Sequence, residues 1–255
     1  MLAILSPAKT LDEKPVTLPV AGSIPLFAAE AWQLVGLLRQ RDATQLAALM
    51  QLSPALASLN VDRFRRFKAE LPADEGKVAA LLYRGDTYAG LQADRWQEAE
   101  WQRAQQSLAI LSGLYGLLRP LDRIQPYRLE MSTRLPNAQG KDLYAFWGDR
   151  LRQTLARWAG ERRLINLASE EYSKAVQGLP MLTPVFLEPK GDRLQVIGLL
   201  AKRARGRMAD FIIRHRLQEV QALQTFQADG YRYRADLSSD DRYCFVRDPA
   251  ALNAS

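Results

Sequence analysis

Five short apolar runs limit what this chain can fold into more than any other feature: MLAIL (1–5), LAILSG (108–113), LINLAS (164–169), TPVFLE (183–188) and LQVIGLL (194–200). Each is continuous rather than alternating and partly β-branched, the pattern of strands covered on both faces. Between them lie stretches with apolar side chains at helical spacing, such as LFAAEAWQLVGLLRQ (26–40) and LYAFWGDRLRQTLARW (143–158). The combination predicts an α/β fold, a mixed sheet flanked by helices. The first strand should stop at Ser6-Pro7, because proline cannot continue a central ladder. The 255 residues contain no internal repeat, low-complexity tract or Ser/Gly linker. A single domain over residues 1–255 is therefore expected, with a helical insertion near residues 26–72.

Within the insertion, TQLAALMQLSPALASLN (44–60) predicts a helix ending near Leu49, a tight turn through Met50, Gln51, Leu52 and Ser53, and a second helix with Ser53 as N-cap and Pro54 at its first position. This is a helix-hairpin-helix arrangement. In DNA-binding versions the turn reads leucine, any residue, glycine, an aliphatic, glycine, and its amides face a backbone phosphate. Here both glycines are missing, so Gln51 must carry a positive φ or the turn has another shape. Two readings stand. Gln51, Leu52 and Ser53 present a phosphate-binding tip, or the helices simply pack through Leu46, Leu49, Leu52 and Leu56. Next in sequence, Arg63, Arg65, Arg66 and Lys68 flank the apolar pair Phe64 and Phe67, placing basic groups where they can clamp the same phosphate path.

Charge is concentrated elsewhere too, within an overall balance of 35 Lys+Arg against 28 Asp+Glu. That surplus favours polyanionic partners. AKRARGRMADFIIRHRL (201–217) carries Lys202, Arg203, Arg205, Arg207, Arg214 and Arg216 over an inner face of Met208, Phe211, Ile212 and Leu217. It reads either as a solvated amphipathic helix or as a phosphate-facing one. LSGLYGLLRPLDRIQPYRLEM (111–131) turns at Gly113 and Gly116 and holds Arg119, Arg123 and Arg128 against Asp122 and Glu130. Its arginines are structural staples or the lining of an anion-binding cleft.

INLASEEYSKAV (165–176) runs a buried strand into Ser169, exposing Asn166, Ser169, Glu171, Tyr172 and Lys174 at the rim of a sheet, where ligands of open α/β sheets sit. Ser169 can serve as a helix cap ahead of Glu170 and Glu171. Alternatively it joins Ser6, Lys9 and Thr10 from the end of the first strand in a polar cluster. Lys9, Asn166, Ser169, Glu171, Tyr172 and Lys174 are then catalytic candidates, containing a potential amine nucleophile and a potential general acid or base.

Several chemistries are disfavoured. A single cysteine, Cys244, allows no internal disulfide and no multi-thiolate metal site. A single histidine, His215, set in IIRHRL, reads as a surface residue of a basic helix, so a Ser-His-Asp triad or a multi-imidazole zinc site is not expected. Neither GxxxxGK[ST] nor GxGxxG occurs. No cofactor or metal is expected. No apolar run reaches the roughly eighteen residues of a membrane span, and MLAILSPAKT lacks a basic leader. A cytoplasmic monomer that does not engage membranes is the expectation.

Taken together, LSPAKTL, YRGDTYAGLQA, LSGLYGLLRPLDRIQPYRLEM, GKDLYAFWGD, NLASEEYSKAV and AKRARGRMADFII closely resemble the YaaA family of bacterial peroxide-stress proteins, formerly a domain of unknown function. The resemblance spans nearly the whole chain. It implies a single α/β domain with a positively charged cleft and a helix-hairpin-helix element at residues 46–60. It also implies binding of double-stranded or distorted DNA and a role in limiting iron-driven oxidative DNA damage. Carried onto this chain, the cleft candidates are Lys9, Arg119, Arg128, Lys174, Lys202 and Arg205. With the hairpin residues Gln51, Leu52 and Ser53, the basic set Arg63, Arg65, Arg66 and Lys68, and Arg207, they form the expected DNA-binding surface. One His and one Cys make a high-affinity iron site unexpected, so any effect on iron should be indirect or exerted at the DNA. The alternative is an enzyme acting on a nucleobase or nucleoside through Ser6, Lys9, Asn166 and Glu171.

Overall fold

The computed structural model describes residues 1–72 and 75–248. Strand β1 (Leu2–Leu5) is buried along its whole length, and the chain leaves it at Ser6-Pro7 for the short β2 (Thr10–Leu11). Three helices follow: α1 (Ala28–Arg39), α2 (Ala43–Met50) and α3 (Pro54–Arg66). Next come β3 (Lys77–Val78), α4 (Ala79–Leu82), β4 (Tyr83–Arg84), α5 (Asp86–Leu91) and α6 (Glu98–Ser107). The chain returns to the sheet as β5 (Leu108–Ser112), β6 (Gly116–Leu118) and the short β7 (Arg123–Ile124). Helices α7 (Leu143–Trp147) and α8 (Arg150–Ala159) precede β8 (Leu164–Asn166), and α9 (Glu170–Ser173) precedes β9 (Met181–Lys190). The remaining elements are β10 (Arg193–Gln195), α10 (Gly198–Arg214), β11 (Tyr231–Tyr233) and β12 (Arg242–Arg247).

The main sheet runs β11-β12-β9-β8-β1-β5-β6, with β10 paired to β9. Its centre is parallel: β1 pairs with β5 and β8, and β9 pairs with β8 and β12. Antiparallel strands close both edges, β6 against β5 and β11 against β12. From β1 the chain proceeds to β5 on one side, whereas from β8 it proceeds to β9 on the other. Their carboxyl ends therefore diverge at a topological switch point, where open α/β sheets leave a crevice. The mixed sheet and its flanking helices are as the sequence predicts, and the buried apolar side chains form one continuous core.

Capping in the helical region also follows the sequence. Asp42 and Gln45 form a capping box on α2, and the side chain of Ser53 accepts the Leu56 N–H at the start of α3, with Pro54 in its first turn. Helix α2 runs one residue further than expected, to Met50, and Gln51 takes the left-handed conformation, φ 53°. The packing differs from a simple leucine seam. Leu46 and Leu52 are buried, but Leu56 is 42% exposed. With Ser53 fixing the helical phase, Ala57, Asn60 and Phe64 form the inner face of α3 instead.

Two local expectations are corrected. The 143–158 stretch is two helices, not one, separated at Gly148, whose φ of 48° interrupts the helix. Only the start of LQVIGLL is strand. Leu194, Val196, Ile197 and Leu199 are exposed, so no core holds the run extended, and α10 already begins at Gly198. Ahead of α5 the chain turns at Gly85, φ 137°, and Gly90 lies inside α5 and serves helix packing.

Candidate functional site

A cleft of about 300 Å³ opens at the switch point. Its floor is the Ser6–Thr10 stretch that follows β1. The hydroxyl of Ser6 accepts the Ser169 N–H at 2.9 Å and lies 3.2 Å from the Ser169 hydroxyl, tying together the chain ends that leave β1 and β8. Ser169 stands at the N-cap of α9, yet its side chain makes no capping bond. The helix-cap reading is thus corrected: the hydroxyl is held by Ser6 across the crevice.

One wall is built by two helices whose backbones touch. A β-carbon added at Gly206 of α10 would lie 1.8 Å from the Thr87 carbonyl oxygen, and one at Gly90 of α5 would lie 2.2 Å from that of Arg203. Only glycine permits this approach. It sets Lys202 and Arg205 of α10 into the cleft beside Asp86 and Thr87 of α5 and Arg84 of β4. The facing wall carries Arg128, Glu130, Glu171 and Tyr172.

Beneath the cleft lies a chain of buried hydroxyls. Tyr127 is 2.6 Å from both the Tyr83 hydroxyl and the Ser112 hydroxyl. Tyr88 donates to the Ser6 carbonyl at 2.9 Å. Burial pushes the phenol of Tyr127 up to about 12 and those of Tyr83, Tyr88 and Tyr172 well above their ordinary range. These tyrosines stay neutral and supply no phenolate base.

The charged groups divide into two sets. Glu130 bridges Lys9 at 2.7 Å and Arg128 at 3.0 Å. Glu171 accepts from the backbone N–H and hydroxyl of Ser132 at 3.0 and 2.9 Å. By contrast, the side chains of Arg84, Lys202, Arg205 and Asp86 make no hydrogen bond or ion pair among the described residues, although the charge of Arg84 helps to lower the pKa of Asp12. Arg205 is half-buried, and loss of water lowers the pKa of its guanidinium. A half-desolvated cation that makes no ion pair of its own is a site for an anion.

The cleft continues into a shallower groove of about 630 Å³. Lys9, Arg128 and Glu130 line both, and the groove extends from them to Gln51, at the turn between α2 and α3, and to the exposed Arg134. Basic segments far apart in sequence thus border one continuous depression.

Not every expected residue takes part. Ser6, Lys9, Ser169, Glu171, Tyr172, Arg128, Lys202 and Arg205 line the cleft. Leu52 is buried and Ser53 caps α3, which leaves Gln51 as the one of these three turn residues in the groove. Arg63 is paired with Glu13, and Lys68 with Glu75 at 2.6 Å. Arg65 and Arg66 are exposed on α3, outside the cleft and the groove, with Arg66 donating to the Asp62 carbonyl. Arg119 is held by the fully buried Asp122 at 3.3 Å. Arg207 projects from a different face of α10 than Arg205, donating to Gln92 at 2.6 Å and lying near Asp229. Asn166 holds the Ala168 N–H at the strand end, and Lys174 lies over the Tyr144 ring, 5.0 Å from its centroid. Neither lines the cleft.

Sequence reasoning did not single out Arg84, Asp86, Thr87 or Arg134. The available signal was YRGDTYAGL, in which a lone Arg and Asp flank Gly85, but nothing local showed that the segment faces the end of β1. His215 is exposed at the end of α10, as expected, and Cys244 is buried. Among the described residues no three His, Cys, Asp or Glu side chains are grouped to hold a metal ion. No helix of the described residues is long and apolar enough to cross a membrane.

Comparison with known proteins agrees with the sequence motifs. Residues 1–237 match the family described as peroxide stress protein YaaA. A UPF0246 protein of Magnetococcus marinus is 49% identical over 257 residues, covering 98% of this chain and all of that protein. A UPF0246 protein of Aromatoleum aromaticum is 44% identical, covering 97% of this chain and 99% of the relative, and one of Hahella chejuensis is 43% identical, covering 97% and 100%. With the family match covering every strand of the sheet except β12 and both walls of the cleft, the chain belongs to the YaaA family of peroxide stress proteins.

Proposed function

We propose that the chain protects against peroxide stress as a cytoplasmic monomer that binds double-stranded DNA along the basic depression. The observation that carries this reading is that Lys9 and Arg128 are common to the cleft and the groove. The cations of α10 and the turn after α2 therefore border a single path along which a phosphate backbone can run. Phosphate contacts of this kind position a duplex without reading its sequence. Because the depression is recessed between walls, bent or branched duplexes follow it better than a straight rod. Protection from iron-driven damage is exerted at the bound DNA rather than by sequestering iron in this chain.

Salt-dependent fluorescence anisotropy with a labelled duplex tests the path. Wild-type affinity falls steeply with salt. Arg134→Ala and Lys202→Ala, at opposite ends of the depression, each flatten the log–log slope by about one. Lys174→Ala, outside the path, leaves the slope unchanged. Affinity indifferent to salt, or a Lys174 effect equal to that of Arg134, rejects the proposal.

The geometry favours binding over chemistry on a nucleobase. The hydroxyls of Ser6 and Ser169 lie 3.2 Å apart and are engaged with each other. The Lys9 side chain is 64% exposed and paired with Glu130, unlike the desolvated lysines that act as nucleophiles. Asn166 and Glu171 hold backbone N–H groups in place.

A further inference from the structure

We infer that the cleft at the end of β1 is a nucleotide pocket, seating a terminal phosphate monoester against Arg84, Lys202 and Arg205 and a sugar hydroxyl against Asp86. This rests on the DNA-path reading above only in sharing Lys9 and Arg128 with it. At about 300 Å³ the recess is at the small end of ligand pockets and too small to admit a duplex. What enters it is one residue of a strand or a free mononucleotide.

The charge pattern selects the phosphate type. Each phosphate inside a strand is a singly charged diester, whereas a terminal phosphate carries about −1.5 to −2 near neutral pH. Lys202 and Arg205, whose side chains have no hydrogen bond or ion pair among the described residues, line the recess with Arg84, whose charge is shared with Asp12, and Arg205 is half-buried among them. A doubly charged group answers that excess better than a diester does, and guanidinium forks match its oxygens. Lys9 and Arg128 share the single negative charge of Glu130, so they contribute less to this excess and belong to the mouth rather than to the phosphate seat.

Asp86 identifies the rest of the ligand. It stands in the first turn of α5, lines the same wall and has no partner among the described residues. An ionised carboxylate only accepts hydrogen bonds, so beside a phosphate it requires a donor such as a sugar hydroxyl. The opposite wall supplies Leu129, Leu167 and Tyr172, an apolar surface for the remainder of a nucleoside.

Isothermal titration calorimetry at low salt tests the assignment. Deoxyadenosine 5′-monophosphate should bind with one-to-one stoichiometry, deoxyadenosine should show no saturable binding, and Arg205→Gln should weaken the monophosphate at least tenfold. Lys202→Ala, at an exposed position, should weaken it several-fold and serves if Arg205→Gln does not fold. Equal binding of nucleoside and monophosphate, or no loss in either variant, overturns the pocket. A 5′-phosphorylated single strand is compared with its unphosphorylated twin to identify the source. Tighter binding of the phosphorylated strand, in competition with the monophosphate, assigns the pocket to strand ends. Equal binding of the two strands alongside retained monophosphate binding assigns it to a free nucleotide. Arg134→Ala separates the two proposals: it should weaken duplex binding and leave the monophosphate unaffected. Duplex binding without monophosphate binding sinks the pocket alone, and the reverse sinks the DNA path alone.

Discussion

Gly206 packs directly on the carbonyl of Thr87: a β-carbon there would lie 1.8 Å from that oxygen. The contact is backbone against backbone, so no side chain can swing aside. Two effects of Gly206→Ala oppose each other. Helix propensity favours alanine by about 1 kcal/mol, whereas overpacking costs about 1–3 kcal/mol. Because α5 and α10 would have to separate, the second effect wins. The variant should unfold at lower urea concentration than the wild type, and it should bind anions in the cleft more weakly. A more stable variant would contradict the packing argument.

Glu130 bridges two cations at the mouth of the cleft, Lys9 at 2.7 Å and Arg128 at 3.0 Å, and offsets part of their charge. Glu130→Gln keeps the shape and removes the charge. Duplex affinity should rise several-fold at low salt, and the salt slope should steepen by about one to two, as freed cations take up phosphate contacts. Anisotropy titrations at several salt concentrations read both quantities. A weaker complex would mean that Glu130 positions these side chains rather than masking them.

Asp122 is buried and accepts from the Ser23 hydroxyl at 2.6 Å and the Arg119 N–H at 2.7 Å. Burial raises its pKa above the usual carboxylate value of 3.8. The folded state thus holds this proton more tightly than the unfolded chain does. The resulting stabilisation is fully present below about 3.9 and is lost as pH rises through the folded value. Asp210, raised by burial as well, acts in the same direction and cancels when a variant is compared with the wild type. Asp122→Asn turns an amide toward donors and should cost about 1–3 kcal/mol near neutral pH. The deficit should widen as the pH is lowered toward 4, because only the wild type gains from protonation. Urea unfolding at a series of pH values measures it, and a deficit that narrows on acidification would reverse the sign argued here.

Gln51 holds φ 53° at the end of α2. A left-handed backbone costs a residue with a side chain about 1–2 kcal/mol, and glycine's greater freedom in the unfolded chain costs about 0.5–1 kcal/mol. Gln51→Gly should therefore stabilise the protein modestly, by at most about 1.5 kcal/mol, visible as a higher thermal midpoint. No change or a loss would show that the Gln51 side chain makes contacts that outweigh the strain.

The parallel centre of the sheet was legible because β1, β5 and β8 are short apolar runs buried on both faces, and a continuous run has few other uses. Strands β11 and β12 were not, since YRY and RYCFVR interleave arginine with aromatics and lie toward an edge. In the site, Arg128, Lys202 and Arg205 could be found from local charge density, and Lys9 from its place at the end of the first strand. Arg84 could not, because it sits alone in a two-residue strand whose partner is Thr10–Leu11, more than seventy positions away. The difference between Arg205, which faces the cleft, and Arg207, which faces Asp229, is one of helical phase. That phase is set by Gly206 against Thr87, a long-range contact that no pattern within α10 contains. The helix cap assigned to Ser169 failed for a similar reason: its competitor for the hydroxyl, Ser6, lies 163 positions earlier.

The insertion of β12 between β9 and β11 also governs the order of assembly. Strand β11 is made before β12 but pairs only with it, so β11 has no place to dock until the later strand arrives. The aromatic knot of Phe186, Phe226, Tyr231 and Phe245 closes at the same moment, since Phe245 comes from β12 and stacks on Phe186 at 5.5 Å. Until then the outer edge of β9 is an open ladder beside unsheathed rings, and a ribosome stalled before Arg242 would leave a sticky, aggregation-prone intermediate.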